Sequence, residues 1–98
     1  MGESQQFSLH ATVQGDVQGV GFRAFVLDNA LRLGLTGWVR NRDNGDVEVW
    51  AEGDRANLDK LLDQLRKGPR ASHVINVNFK WDSASGKYSR FNVAPTQY

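Results

Sequence analysis

Gly15-Asp16-Val17-Gln18-Gly19-Val20-Gly21-Phe22-Arg23 is where the chain changes period. Before it, Phe7, Leu9, Ala11 and Val13 alternate with Ser8, His10, Thr12 and Gln14, the period of two of a half-buried strand. After it, Phe22, Phe25, Val26, Asn29, Ala30 and Leu33 recur at three- and four-residue spacing, which predicts a helix closed by Gly34. Between them, three glycines in seven residues make a loop that needs unusual backbone angles or close backbone approach.

Further along, residues 36–42 place Gly37, Val39 and Asn41 on one face of a strand and Trp38, Arg40 and Arg42 on the other. Asn44-Gly45 predicts a tight type I′ hairpin turn. The return strand sets Val47, Val49 and Ala51 against Glu48, Trp50 and Glu52. Asp54 reads as the N-cap of a helix whose stripe is Leu58, Leu61, Leu62 and Leu65, stopped by Gly68-Pro69. Ile75, Val77, Phe79 and Trp81 alternate as a fourth strand, and a short last strand is expected around residues 88–93. The order is β-α-β-β-α-β with a possible short fifth strand. It predicts an α+β fold, a two-layer α/β sandwich of ferredoxin-like type in which helices cover one face of an antiparallel sheet.

Ninety-eight residues are one domain's worth, too short for a barrel enzyme or a two-domain dinucleotide enzyme. Residues 1–6 are expected to be flexible and 94–98 to form a C-terminal tail. Hydrophobic content of 40%, charged content of 23% and mean hydropathy of −0.51 describe a soluble globular chain. A net charge of +1 argues against a dedicated nucleic-acid or membrane-surface binder. No apolar run approaches a membrane span. Cysteine is absent, which removes disulfides, thiolate catalysis and a phosphocysteine intermediate, and fits a cytoplasmic location.

A glycine-rich loop running from a strand into a helix can cradle an anion, because its N–H groups converge where the helix end is partially positive. Arg23 in the first helical turn opposes that dipole, but would grip an anion lying between guanidinium and loop. The bland alternative is a plain turn with Arg23 solvated. Gly19-Val20-Gly21-Phe22-Arg23-Ala24 also fits a dinucleotide G-x-G-x-x-A string, with Asp43 about twenty residues on. The antiparallel hairpin at Asn44-Gly45 contradicts the parallel sheet such a site needs. A Walker A loop would require Lys-Ser or Lys-Thr where Phe22-Arg23 stand.

The string Gly15–Arg23, joined to Gly37-Trp38-Val39-Arg40-Asn41 and Gly45-Asp46-Val47-Glu48, resembles the acylphosphatase family. The resemblance spans residues 7–93. It implies a metal-free, cofactor-free hydrolase of acyl phosphates, with Arg23 and Asn41 catalytic. Arg23 would bind the phosphate, the loop at Gln18, Gly19, Val20, Gly21 and Phe22 would cradle it, and Asn41 would orient the attacking water. Inorganic phosphate or sulfate could occupy the same site; neither nucleic acid nor membrane is an expected partner, and a monomer is expected. Such chemistry is economical, since a carboxylate of pKa near 4 leaves without a general acid.

Two departures stand out. Asp16 occupies a position where relatives often carry a basic residue; facing the loop it would repel phosphate, facing solvent it would matter little. The tail Ala94-Pro95-Thr96-Gln97-Tyr98 carries Pro95, which argues against a continued central strand, so no site role is assigned to Tyr98. His10 and His73 are isolated and read as structural. Trp38 and Trp50 with Arg40 and Arg42 suggest either cross-strand packing or a base-stacking RNA platform, although an RNP1 string is absent. The alternative to the enzyme is therefore a ferredoxin-like module holding an anion or RNA without catalysis.

Overall fold

The computed structural model describes residues 5–98. Its elements are β1 (Gln6–Asp16), α1 (Phe22–Arg32), β2 (Thr36–Asn41), β3 (Val47–Asp54), α2 (Arg55–Lys67), β4 (His73–Ser83) and β5 (Phe91–Val93). The strands form one five-stranded sheet in the order β4-β1-β3-β2-β5. The α+β sandwich is the one that the periodicity predicts. Of the expected flexible segment, residues 1–4 lie outside the described residues, while Gln6 opens β1 opposite Asp54.

Antiparallel register carries the core across the sheet. Leu9 faces Ala51, Ala11 faces Val49 and Val13 faces Val47, while Val39 of β2 also faces Val49. All of them are fully buried, as are Val26 and Ala30 of α1 and Leu58, Leu61 and Leu65 of α2. Each large aliphatic chain so placed contributes roughly 1.5–3 kcal/mol. α1 ends as expected near Gly34: Leu35 N–H donates to Ala30 O at 2.9 Å and Gly34 N–H to Leu31 O at 3.2 Å, with Gly34 left-handed.

Five details differ from the sequence reading. The four long strands pair antiparallel, but β5 lies parallel to β2, so the sheet is mixed. The last strand is only three residues long. The hairpin is not type I′. Gly45 alone has positive φ, and its N–H donates to Arg42 O at 3.2 Å, giving a three-residue loop of Asp43, Asn44 and Gly45. Asp54 occupies the N-cap of α2 but does not cap it; its carboxylate accepts from Gln6 Nε2 at 2.9 Å.

The fifth difference is a bulge. Gln14 pairs with Asn76 and Gly15 with Val74, so Ile75 is skipped and turns outward, 74% exposed, while Val74 packs on the core in its place. A Cβ on Gly15 would stand 2.1 Å from His73 O, which is why this crossing takes glycine.

The sheet face opposite the helices holds two buried carboxylates. Glu48 accepts from Arg40 Nε at 2.8 Å and Arg42 Nη1 at 3.2 Å, and lies 2.6 Å from His10 Nε2. Glu52 accepts from Trp50 Nε1 at 2.8 Å, from Ser85 N–H and Oγ–H at 3.0 and 2.7 Å, and from Gly86 N–H at 3.0 Å. Trp38 sits directly opposite Trp50, with the Arg40 guanidinium 4.4 Å above its ring. Cross-strand packing thus commits these aromatics and arginines. Among the described residues no helix is long and apolar enough to cross a membrane.

Glu52→Ala strips acceptors from the 85–86 segment that leads into β5. It is expected to lower the unfolding free energy by about 1–2 kcal/mol in urea titration, part of the loss being recovered by water at the exposed donors. For Glu48 and Glu52, burial pushes the carboxyl pKa up, but the donors around each outweigh it and the net shift is downward from 4.5. Their stabilisation is complete above pH 4.5 and disappears as the pH falls through the depressed values. The urea midpoint should accordingly drop below that pH, and a folded Glu48→Gln variant should show a smaller acid loss than the parent.

Candidate active site

The loop from β1 to α1 is shaped by two left-handed glycines. Gly19 has φ 74° and Gly21 φ 81°, with Val20 between them at negative φ. Nothing stands within 4 Å of where their Cβ atoms would be, so the backbone angle, not crowding, demands glycine. Alternation of this kind turns successive N–H groups toward one side, the geometry of an anion nest.

Gly21 is also the N-cap of α1, and a glycine has no side chain with which to cap it. No acidic residue occupies the first turn. The usual Ser, Thr or Asp would satisfy these donors within the protein. Here the N–H groups of residues 18–24 find no acceptor among the described residues, and the helix end keeps its partial positive charge. Arg23, half-buried, adds a guanidinium that joins none of the ion pairs among the described residues.

A cleft of about 370 Å³ opens at this point. Gly19, Gly21, Phe22, Arg23 and Asn41 line it, so the fold joins the two catalytic candidates, eighteen residues apart in the chain. Asn41 shares the helix-facing side of β2 with Val39, as the strand alternation predicts. Its Oδ1 is buried and has no hydrogen-bond partner among the described residues. An orphaned carboxamide oxygen is costly unless something in the cleft donates to it.

Two of the candidate cradle residues do not line the cleft. Val20 packs against the core. The Gln18 side chain turns away to the β2–β3 hairpin, donating from Nε2 to Arg42 O at 2.6 Å and Asp46 O at 2.8 Å. What either can offer an anion is its backbone N–H. Asp16 is exposed at the end of β1, opposite His73, and does not line the cleft.

The remaining walls are apolar: Val17, Ala24, Leu27 and Val93. Leu27 follows Arg23 by one helical turn, so its place was readable from spacing. Val93 was not, because the parallel seat of β5 beside β2 is a long-range pairing. The tail also comes close. Gln97 N–H donates to Asn41 O at 2.9 Å and Asp43 N–H donates to Gln97 O at 2.9 Å, along the outer edge of β2 where Pro95 interrupts no central ladder. Tyr98 itself is 89% exposed. Among the described residues no three His, Cys, Asp or Glu side chains gather as a metal-binding group would require.

The family model described as Acylphosphatase matches residues 9–93. An acylphosphatase from Pelotomaculum thermopropionicum is 47% identical over 85 residues, covering 87% of this chain and 92% of that one. The structure of an acylphosphatase from Coxiella burnetii superposes with a TM-score of 0.87 at 41% identity, covering 96% of this chain and all of that one. The acylphosphatase from Bacillus subtilis gives 0.87 at 35% identity, covering 90% and 98%. Glycine nest, unpaired arginine and strand-borne asparagine thus occur in a chain that belongs to the acylphosphatase family.

Proposed function

We propose that this cleft hydrolyses the carboxyl–phosphate bond of acyl phosphates, releasing carboxylate and inorganic phosphate by direct attack of water. The observation that carries the reading is the pairing, in one cleft, of free N–H groups beside an unpaired Arg23 with the orphaned Oδ1 of Asn41. The loop N–H groups and Arg23 hold the equatorial phosphoryl oxygens, where charge spreads in the transition state. Asn41 Oδ1 accepts a hydrogen bond from water and aims its oxygen at phosphorus. The new P–O bond forms as the bond to the acyl oxygen breaks. The electron pair leaves with the carboxylate, and the proton of the water passes to phosphate or solvent. Because that leaving group is already a weak base, neither a general acid nor a metal is required.

Ala24, Leu27 and Val93 lie beside Arg23, and Val93 is 43% exposed. The acyl group rests on them, which favours aromatic or aliphatic acyl phosphates over charged ones. The protein works as a cytoplasmic monomer, without nucleic acid. Support for the last point is that Arg40, Arg42 and Trp38 are already engaged on the opposite face.

Benzoyl phosphate hydrolysis in the presence of EDTA tests the reading. Turnover should be indifferent to the chelator, and Arg23→Ala and Asn41→Ala should each lose about 10²-fold or more in kcat. Arg23→Ala should also lose inhibition by inorganic phosphate, whereas Asn41→Ala should keep it. Phosphate binding with no turnover in the parent protein would identify a binding module instead. Leu27→Glu should lower kcat/KM for benzoyl phosphate about tenfold more than for acetyl phosphate; equal losses would remove the acyl assignment.

A further inference from the structure

We propose that Gln18 is a positioning residue, whose carboxamide locks the phosphate loop to the β2–β3 hairpin and so sets where Asn41 stands relative to the bound phosphoryl group. The inference rests on the role given above to Asn41. One nitrogen, Nε2, spans two carbonyl oxygens, Arg42 O at 2.6 Å and Asp46 O at 2.8 Å. Those two residues flank the hairpin loop and are themselves joined, Arg42 N–H donating to Asp46 O at 2.9 Å. Gln18 therefore sits across the mouth of the hairpin and uses both protons of its amide.

Its neighbours in the chain explain why this contact matters. Gly19, the first left-handed residue of the nest, follows Gln18 directly, and Asn41 directly precedes Arg42. A single residue step separates each end of the clamp from a group that handles substrate. The hairpin end is stiff, because buried Glu48 accepts from both Arg40 and Arg42. The loop end is not stiff by itself, since its glycines have neither side-chain packing nor a capping side chain to hold them. Gln meets the requirement where close analogues do not. Glu would press a carboxylate against two carbonyl oxygens, Asn is one methylene too short, and Met has the length without the donors.

Such a clamp acts on the alignment of water with phosphorus, and a displacement of about 1 Å there can cost about 10²-fold. A double-mutant cycle on benzoyl phosphate hydrolysis tests it, with inhibition by inorganic phosphate and the urea midpoint measured alongside. Gln18→Ala and Gln18→Met are expected to lower kcat between ten- and a hundredfold while the proteins remain folded and inhibited by phosphate. In the Asn41→Ala background the same changes should alter kcat by less than about twofold, since the group being aligned is gone. Losses that multiply in the double variant would overturn the proposal. So would a defect confined to KM with kcat intact, which would return Gln18 to phosphate binding. The outcome for Asn41→Ala alone judges the function: were its kcat that of the parent, the role of Asn41 would fail irrespective of Gln18.

Discussion

A helix N-terminus left open to solvent is the constraint on which the site depends. The first turn of a helix carries N–H groups that no preceding carbonyl can reach, and proteins ordinarily close it with a side-chain oxygen. In this chain the cap is Gly21, the first turn contains no acid, and a cation, Arg23, stands where the helix dipole disfavours one. Each choice forgoes a little local stability, and all three favour the same occupant, a compact anion. Left-handed angles at Gly19 and Gly21 complete the arrangement by turning the preceding N–H groups in the same direction.

Charge is sorted between the two faces of the sheet. On the face away from the helices, Arg40 and Arg42 both pair with Glu48, and Glu52 spends its oxygens on Trp50 and the 85–86 segment. On the helix side, Arg23 has no carboxylate partner among the described residues. A net charge of +1 therefore says little about the cleft, where Arg23 stands beside N–H groups that no protein acceptor takes up among the described residues. Glu48, through Arg40 and Arg42, also braces the hairpin beside Asn41, so the electrostatics of one face support the geometry of the other.

Much of the fold was legible in the chain. Alternation of Leu9, Ala11 and Val13 and the stripe of Leu58, Leu61, Leu62 and Leu65 named the core, because apolar burial imposes its period on any element with one wet face. Two of the misreadings concern partners distant in sequence, and one is a local matter of turn length. Ile75 fits the strand alternation but is turned outward by a bulge set by Gly15 on the neighbouring strand. Asp54 is a good cap by type, yet its carboxylate is taken by Gln6. Asn44-Gly45 suits a two-residue turn, but the loop spans three, with only Gly45 left-handed.

For the site, the chemical identities were readable from the chain: a glycine nest ahead of a helix, an arginine in its first turn and an asparagine on the helix-facing side of a strand. These are local properties, carried by backbone freedom, side-chain charge and strand parity. It took the folded sheet to bring Arg23 and Asn41 into one cleft, to put the Gln18 side chain on the hairpin and to make Val93 an apolar wall. Each of those depends on which strands lie side by side, and strand adjacency is settled by the packing of the whole sheet against its helices rather than by any short stretch of the chain.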